Sequence, residues 1–234
     1  MSHASETETP MSHSQSQGEG IWANIKTIGG AVLLALVIRT CLFEPFEIEG
    51  PSMEPTLLNG DRVVVSKFSY GLFLPLSDQA IVNWATPEVG SVVIIKSPMD
   101  NVDIVKRVIG GPGDRIEVRY GHVVRNGQQM VMNDAGPCET GDGARNPRCR
   151  WRQSQVGEQV FVTSAAMPPF DMPEVVVPPG HIFVLGDHRD SSNDSRNPAV
   201  GAIPANRVKG HALAIYWSSG EEGKRWSRMF TAIQ

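Results

Sequence analysis

The sequence has little cysteine, no excess of positive charge and only one long apolar run, and each shortage removes a class of function. Three cysteines occur in 234 residues. None forms a C-x-x-C pair, which counts against a zinc ribbon or a dithiol redox site. Lys and Arg number 21 against 25 Asp and Glu, for a net charge of −4 and a pI near 5.9. With no basic stripe to neutralise phosphates, nucleic acid is not an expected partner. There is no G-x-S-x-G elbow and no repeat of solenoid period. No metal and no cofactor is expected. What remains is rich in turn formers: 23 Gly and 17 Pro separate many short β-branched runs. That pattern favours a mainly β fold over a helical bundle.

In chain order, residues 1–20 are Ser, His, Gln, Glu and Thr with almost nothing apolar, and are expected to be a disordered tail. Ile21 to Ile38 is apolar and closed by Arg39. At about 1.5 Å per residue the run barely reaches a hydrocarbon core of roughly 30 Å, with Lys26 and Arg39 at the interfaces. Residues 21–40 are read as one transmembrane anchor. A cleaved signal fits less well, because Arg39-Thr40-Cys41-Leu42-Phe43 follows where small residues are needed. A buried helix is weakened by Gly29-Gly30 and the lack of a polar face.

Residues 41–234 read as a β-rich body. Strands are expected at Phe46–Glu49, within Gly60–Phe68 and Gly90–Lys96 after an opening turn in each, and at Asp103–Ile109, Gln159–Val162, Glu174–Leu185 and Val208–Trp217. A hairpin is expected over Ile116–Val124, and Asn126-Gly127 signals a type I′ turn. The loop-rich stretch at about 116–180 reads as an inserted β subdomain. It holds Cys138 and Cys149, which form either a loop-closing disulfide in an oxidising compartment or two free surface thiols.

One stretch displays a nucleophile. Phe46 to Glu49 is extended, Gly50-Pro51 makes a corner, Ser52 follows, and Pro55 stops regular structure. A serine needs a base within hydrogen-bond reach. Of six histidines, His3 and His13 lie in the tail, and His188 beside Asp187 is not a ready-made dyad because adjacent strand side chains diverge. A lysine serves only if burial lowers its pKa from about 10.4 towards neutrality. Lys106, inside Ile104-Val105-Lys106-Arg107-Val108-Ile109, has the apolar neighbours for that. Lys67 and Lys96 sit at strand ends. Taken singly, Ser52 also fits a turn serine and Lys106 an exposed edge charge.

Three boxes resemble those of type I signal peptidases: Ser52-Met53-x-Pro55-Thr56-Leu57, Lys106-Arg107-Val108-x-Gly110-x-Pro112-Gly113-Asp114, and Gly186-Asp187-x-Arg189-Asp190-x-Ser192-x-Asp194-Ser195-Arg196. They fall in the family's order after an apolar anchor, and the likeness covers about residues 21–218. It implies a membrane-bound Ser/Lys endopeptidase that removes signal peptides from exported preproteins after small-x-small sites. The implied location is the outer face of a bacterial cytoplasmic membrane, with lipid as a further partner. The oligomeric state is left open. By resemblance Ser52 is the nucleophile, Lys106 the general base, and Ser192 the serine that orients the lysine. Arg107 with Asp187, and Asp194 with Arg196, match supporting charged pairs; Phe46, Ile48, Met53 and Val105 match pocket walls.

Departures from the pattern are Gly50, which stands where many members carry a serine hydroxyl for the oxyanion hole, and His188 in place of the usual asparagine. Two rival readings are a Ser/Lys peptidase of the repressor or conjugation-processing type and a non-enzymatic anchored β module. The anchor and the lack of a DNA-binding region count against a repressor.

Overall fold

Short β-branched runs ended by Gly, Pro, Asn and Asp leave the chain few options except strands joined by tight turns, and strands dominate. The computed structural model describes residues 16–37, 42–73, 80–166, 171–221 and 223–234. A helix, α1 (Ser16–Val37), belongs to one compact unit, and residues 40–234 form the other. α1 takes in residues 16–20 of the segment read as a tail; residues 1–15, and 38–40 of the expected anchor, lie outside the described residues. No helix among the described residues is long and apolar enough to cross a membrane.

The strands in chain order are β1 (Phe43–Glu47), β2 (Asp61–Ser66), β3 (Gly71–Phe73), β4 (Ala80–Asn83), β5 (Val92–Lys96), β6 (Asp103–Gly110), β7 (Arg115–Arg119), β8 (His122–Arg125) and β9 (Gln128–Gln129). They continue as β10 (Val131–Pro137), β11 (Arg150–Val156), β12 (Gln159–Ala165), β13 (Met172–Val176), β14 (His181–Leu185), β15 (Ile203–Pro204), β16 (Val208–Gly220), β17 (Gly223–Lys224) and β18 (Thr231–Ala232). The largest sheet runs β1-β2-β16-β5-β6-β14-β15, with β17 and β18 on β16. The long β16 serves both β2 and β5 because its register shifts at three places bend it across the sheet.

Residues 116–180 build two smaller sheets, β10-β11-β12 and β13-β7-β8-β9. In the expected hairpin, Ile116 pairs with Arg125 and Val118 with Val123. Asn126 and Gly127 both have positive φ, 52° and 78°, which suits the two-residue turn into β9. The inserted sheets do not keep a core of their own. Ile116, Val118, Val123 and Phe161 join Ile109, Phe183 and Leu185 of the large sheet in one buried cluster. A second cluster sets Ile48, Met53 and Leu57 against Val63, Val65, Val92, Ile94 and Val105. At about 1.5–3 kcal/mol for each fully buried aliphatic side chain, this second cluster fixes where the segment after β1 must lie. Cys138 and Cys149 are joined as a disulfide, with an S–S distance of 2.03 Å, closing the loop between β10 and β11.

Candidate active site

The turn that carries Ser52 is pinned at both ends. The Ile48 N–H donates to the Asp61 carbonyl at 2.8 Å, and the Ile48 carbonyl accepts from Gly60 at 2.9 Å, so the chain leaves the sheet at a fixed point. Gly50 then has φ +81°, a left-handed conformation in which a side chain is strained. This gives the glycine a local cause: the corner needs it. The Glu54 N–H closes on the Pro51 carbonyl at 3.0 Å, wrapping the turn around Ser52. Beyond it, Met53 and Leu57, 1% and 0% exposed, anchor the turn in the second core cluster.

Lys106 reaches this turn from β6. Its Nζ donates to Ser52 Oγ at 2.9 Å and to the Val105 carbonyl at 2.9 Å. The residue is 3% exposed. Burial pulls its pKa down to about 8, against the opposing pull of Asp194 and Asp187. A lysine with that value is neutral about a tenth of the time at pH 7 and half of the time at pH 8, and a neutral amine can accept a proton. β14 pairs with β6 only from Arg107 to Gly110. Among the described residues, that leaves the edge of β6 from Asp103 to Lys106 unpaired on the side away from β5.

The neighbouring charges are held in pairs. Arg107, fully buried, donates from Nε to Asp187 Oδ1 at 2.9 Å and from Nη2 to Asp187 Oδ2 at 2.7 Å. Its Nη1 donates to the carbonyls of Gly90 and Gln234, both at 2.8 Å, and its guanidinium lies 4.0 Å from the Phe161 ring centre. Arg196 bonds Asp194 through Nε and Nη2, both at 2.7 Å, while Asp194 Oδ2 accepts from the Gly186 N–H at 2.9 Å. A buried carboxylate with fewer donors would be costly; these two are well supplied.

Ser192 sits differently from the role its box implies. Its hydroxyl is buried against the Gly186 backbone and has no hydrogen-bond partner among the described residues. Lys106 takes the Val105 carbonyl in its place. Phe46, Ile48, Met53 and Val105 do come together. With Ser52, Lys106, Val102, Ile104 and the acidic Glu47, Glu49 and Asp103 they line a groove of about 410 Å³.

Several contacts at the site were not foreseen from sequence. Thr56 Oγ1 donates to Asp187 Oδ2 at 2.6 Å, tying the Ser52 turn to the Arg107–Asp187 pair. The Ser164 hydroxyl donates to the Glu54 carbonyl at 3.1 Å, and the His188 N–H to the Ser52 carbonyl at 3.1 Å. Thr56 lies inside the first box, so its position was available as a signal. Ser164 lies in the insert, where composition offers none.

Comparison with known proteins gives the chain's family. The family model described as signal peptidase, peptidase S26, matches residues 21–217. The chain is 35% identical over 214 residues to a signal peptidase I of Pseudomonas fluorescens, covering 85% of this chain and 73% of the relative. It is 32% identical to a signal peptidase I of Pseudomonas aeruginosa, covering 82% and 71%. A protein named probable signal peptidase I-1 of Synechocystis is 30% identical, with 88% of each chain covered.

Proposed function

The chain belongs to the signal peptidase family, peptidase S26, serine peptidases that cleave signal peptides, and on that premise we propose that Ser52 and Lys106 carry the reaction here. The observation that carries this reading is the 2.9 Å hydrogen bond between Ser52 Oγ and the Nζ of a buried lysine. Neutral Lys106 takes the Ser52 hydroxyl proton as Oγ attacks the scissile carbonyl carbon. The C–N bond then breaks, and Lys106 returns the proton to the leaving amine. Lys106 next takes a proton from water, whose oxygen attacks the acyl-serine carbonyl carbon; the ester C–O bond breaks, Lys106 returns the proton to Ser52 Oγ, and the signal peptide leaves with a free carboxylate. The Ser52 N–H is the backbone donor suited to the developing oxyanion.

The substrate lies extended against the unpaired edge of β6 from Asp103 to Lys106, added as a further strand. Side chains that turn inward meet Phe46, Ile48, Met53 and Val105, and these walls favour small residues at the two positions that face them. Arg107 with Asp187, and Asp194 with Arg196, hold the strands that bear the site. The apolar segment of residues 21–40, of which α1 covers all but the last three, holds the protein at the bacterial cytoplasmic membrane, with residues 41–234 on the extracytoplasmic side. In support, the side chains of residues 24–35 are exposed, Ile28, Leu33 and Leu34 among them at 60% or more. An exposed apolar helix is more stable in lipid than in water. The preprotein is the partner, and lipid the surroundings.

The test is direct. Purified full-length protein in detergent should cleave a preprotein after a small-x-small site, and Ser52→Ala and Lys106→Ala should each lower kcat on the order of 10⁴-fold. Substantial activity in either variant rules out the dyad.

A further inference from the structure

Glu54 is a charged side chain placed where charge is expensive. It lies two residues after Ser52 and is only 4% exposed. Its carboxylate is met by the disulfide loop: Oε2 accepts from the Asp142 N–H at 2.8 Å and from the Gly143 N–H at 3.4 Å. The fit is close enough that a Cβ on Gly141 would come within 2.3 Å of the carboxylate, and one on Gly143 within 3.0 Å of the Cys149 sulfur. On its other side His188 Nδ1 stands 3.8 Å from Glu54 Oε2, too far for a hydrogen bond but facing it within the same buried space. The His188 backbone N–H meanwhile holds the Ser52 carbonyl. Three separate stretches, the Ser52 turn, the Cys138–Cys149 loop and the segment after β14, therefore converge on one carboxylate.

We propose that Glu54 is a positioning residue for Ser52, through which the Cys138–Cys149 loop holds the nucleophile turn in register with Lys106. The proposal rests on Ser52 being the nucleophile. The physical reason is that a desolvated carboxylate must keep its donors. In this protein two of those donors are amides of the Cys138–Cys149 loop closed by the disulfide. Burial drives the Glu54 carboxyl above the ordinary range, and the amides of Gly143 and Asp142 oppose that rise. If the loop leaves, the carboxylate must find water, and the turn that carries it must move. The Ser52 hydroxyl needs only a small displacement to lose its 2.9 Å contact with Lys106. Misplacement of about 1 Å at a reacting group costs roughly 100-fold in rate.

The experiment is a cycle in the full-length protein, measuring kcat, KM and thermal midpoint. Glu54→Ala is expected to lower kcat roughly 10- to 100-fold with KM changed less than about twofold. Cys138→Ser with Cys149→Ser is expected to lower kcat in the native background. In the Glu54→Ala background the cysteine changes should add almost nothing, since the link through which they act has gone. Glu54→Gln, which keeps an acceptor oxygen for the Asp142 amide, should recover most of the rate. Where Glu54→Ala does not fold, Gly141→Ala drives a methyl group into the same carboxylate and should reproduce the loss of kcat. A general structural role would give additive losses that follow the thermal midpoint, and that result, or an unchanged kcat in Glu54→Ala, overturns the proposal. Activity surviving in Ser52→Ala would instead remove the reading on which it rests; loss there with additive losses here removes this inference alone.

Discussion

Replacing Lys106 with Met should make the protein more stable at neutral pH while abolishing its activity, and the size of the gain follows from the site. The amine is 3% exposed and its pKa is lowered from 10.5 to about 8, first by burial. Each tenfold change in proton affinity is worth about 1.4 kcal/mol, so the protonated form is disfavoured in the folded state by about 3 kcal/mol. The folded value lies below the unfolded one, so the native state binds fewer protons and stability rises with pH between about 8 and 10.5. Below about 8 the full penalty is present; above 10.5 it is gone. Lys106→Met removes the titrating group but also loses the bonds to Ser52 and the Val105 carbonyl, an effect that is the same at every pH. The informative quantity is therefore the difference between two conditions. Urea unfolding followed by tryptophan fluorescence should give Lys106→Met a stability relative to wild type that is about 3 kcal/mol more favourable at pH 7 than at pH 10.5. A difference near zero would mean that Lys106 is not held away from its charged form, and the account of the base would fall with it.

Other perturbations read other parts of the site. In the native enzyme kcat should rise along a single limb with an apparent pKa of about 8, the value for Lys106, and a profile flat from acid to neutral pH would point to another base. Asp187→Asn leaves the fully buried Arg107 short of its counter-charge and should cost about 3–5 kcal/mol in urea unfolding; a loss below about 1 kcal/mol would show that the pair is not what holds β6 to β14. Denatured but unreduced protein should show one reactive thiol, Cys41, and three after reduction; three thiols before reduction would exclude the disulfide. Ile48→Ala opens the wall of the groove and should shift kcat/KM roughly tenfold towards substrates with a larger residue at the position it faces. Unchanged preference would place that wall elsewhere.

How much of this was legible in the sequence depends on the kind of contact. Ser52 and Lys106 are 54 residues apart, yet each carried a local signal: a Gly-Pro corner for one, an apolar strand around a single amine for the other. The strands of the large sheet were legible for the same reason, because alternation and turn residues are local. The charged pairs were not. Arg107 and Asp187 lie 80 residues apart, and nothing in either segment names its partner, so only the family's boxes suggested them. Glu54 went unmarked for the same cause: its donors are backbone amides 88 and 89 residues later, and amides leave no trace in composition. The membrane anchor was read from one apolar run, and no helix among the described residues meets the length and apolarity a span requires.

The insert shows the limit of periodicity most clearly. Alternation over Ile116–Val124 says that one face is buried but not against what, so the stretch of about 116–180 reads as an inserted β subdomain with no stated packing partner. Its buried residues instead share a cluster with Ile109, Phe183 and Leu185 of the strands that carry the site. Phe161 of β12 lies under the Arg107 guanidinium, next in sequence to Lys106, and Ser164 of the same strand holds the Glu54 carbonyl. A strand with an unpaired edge lacks one neighbour that would have fixed it. The insert supplies packing and hydrogen bonds from behind, so that β6 can keep that edge unpaired and still present Lys106 to Ser52 at 2.9 Å.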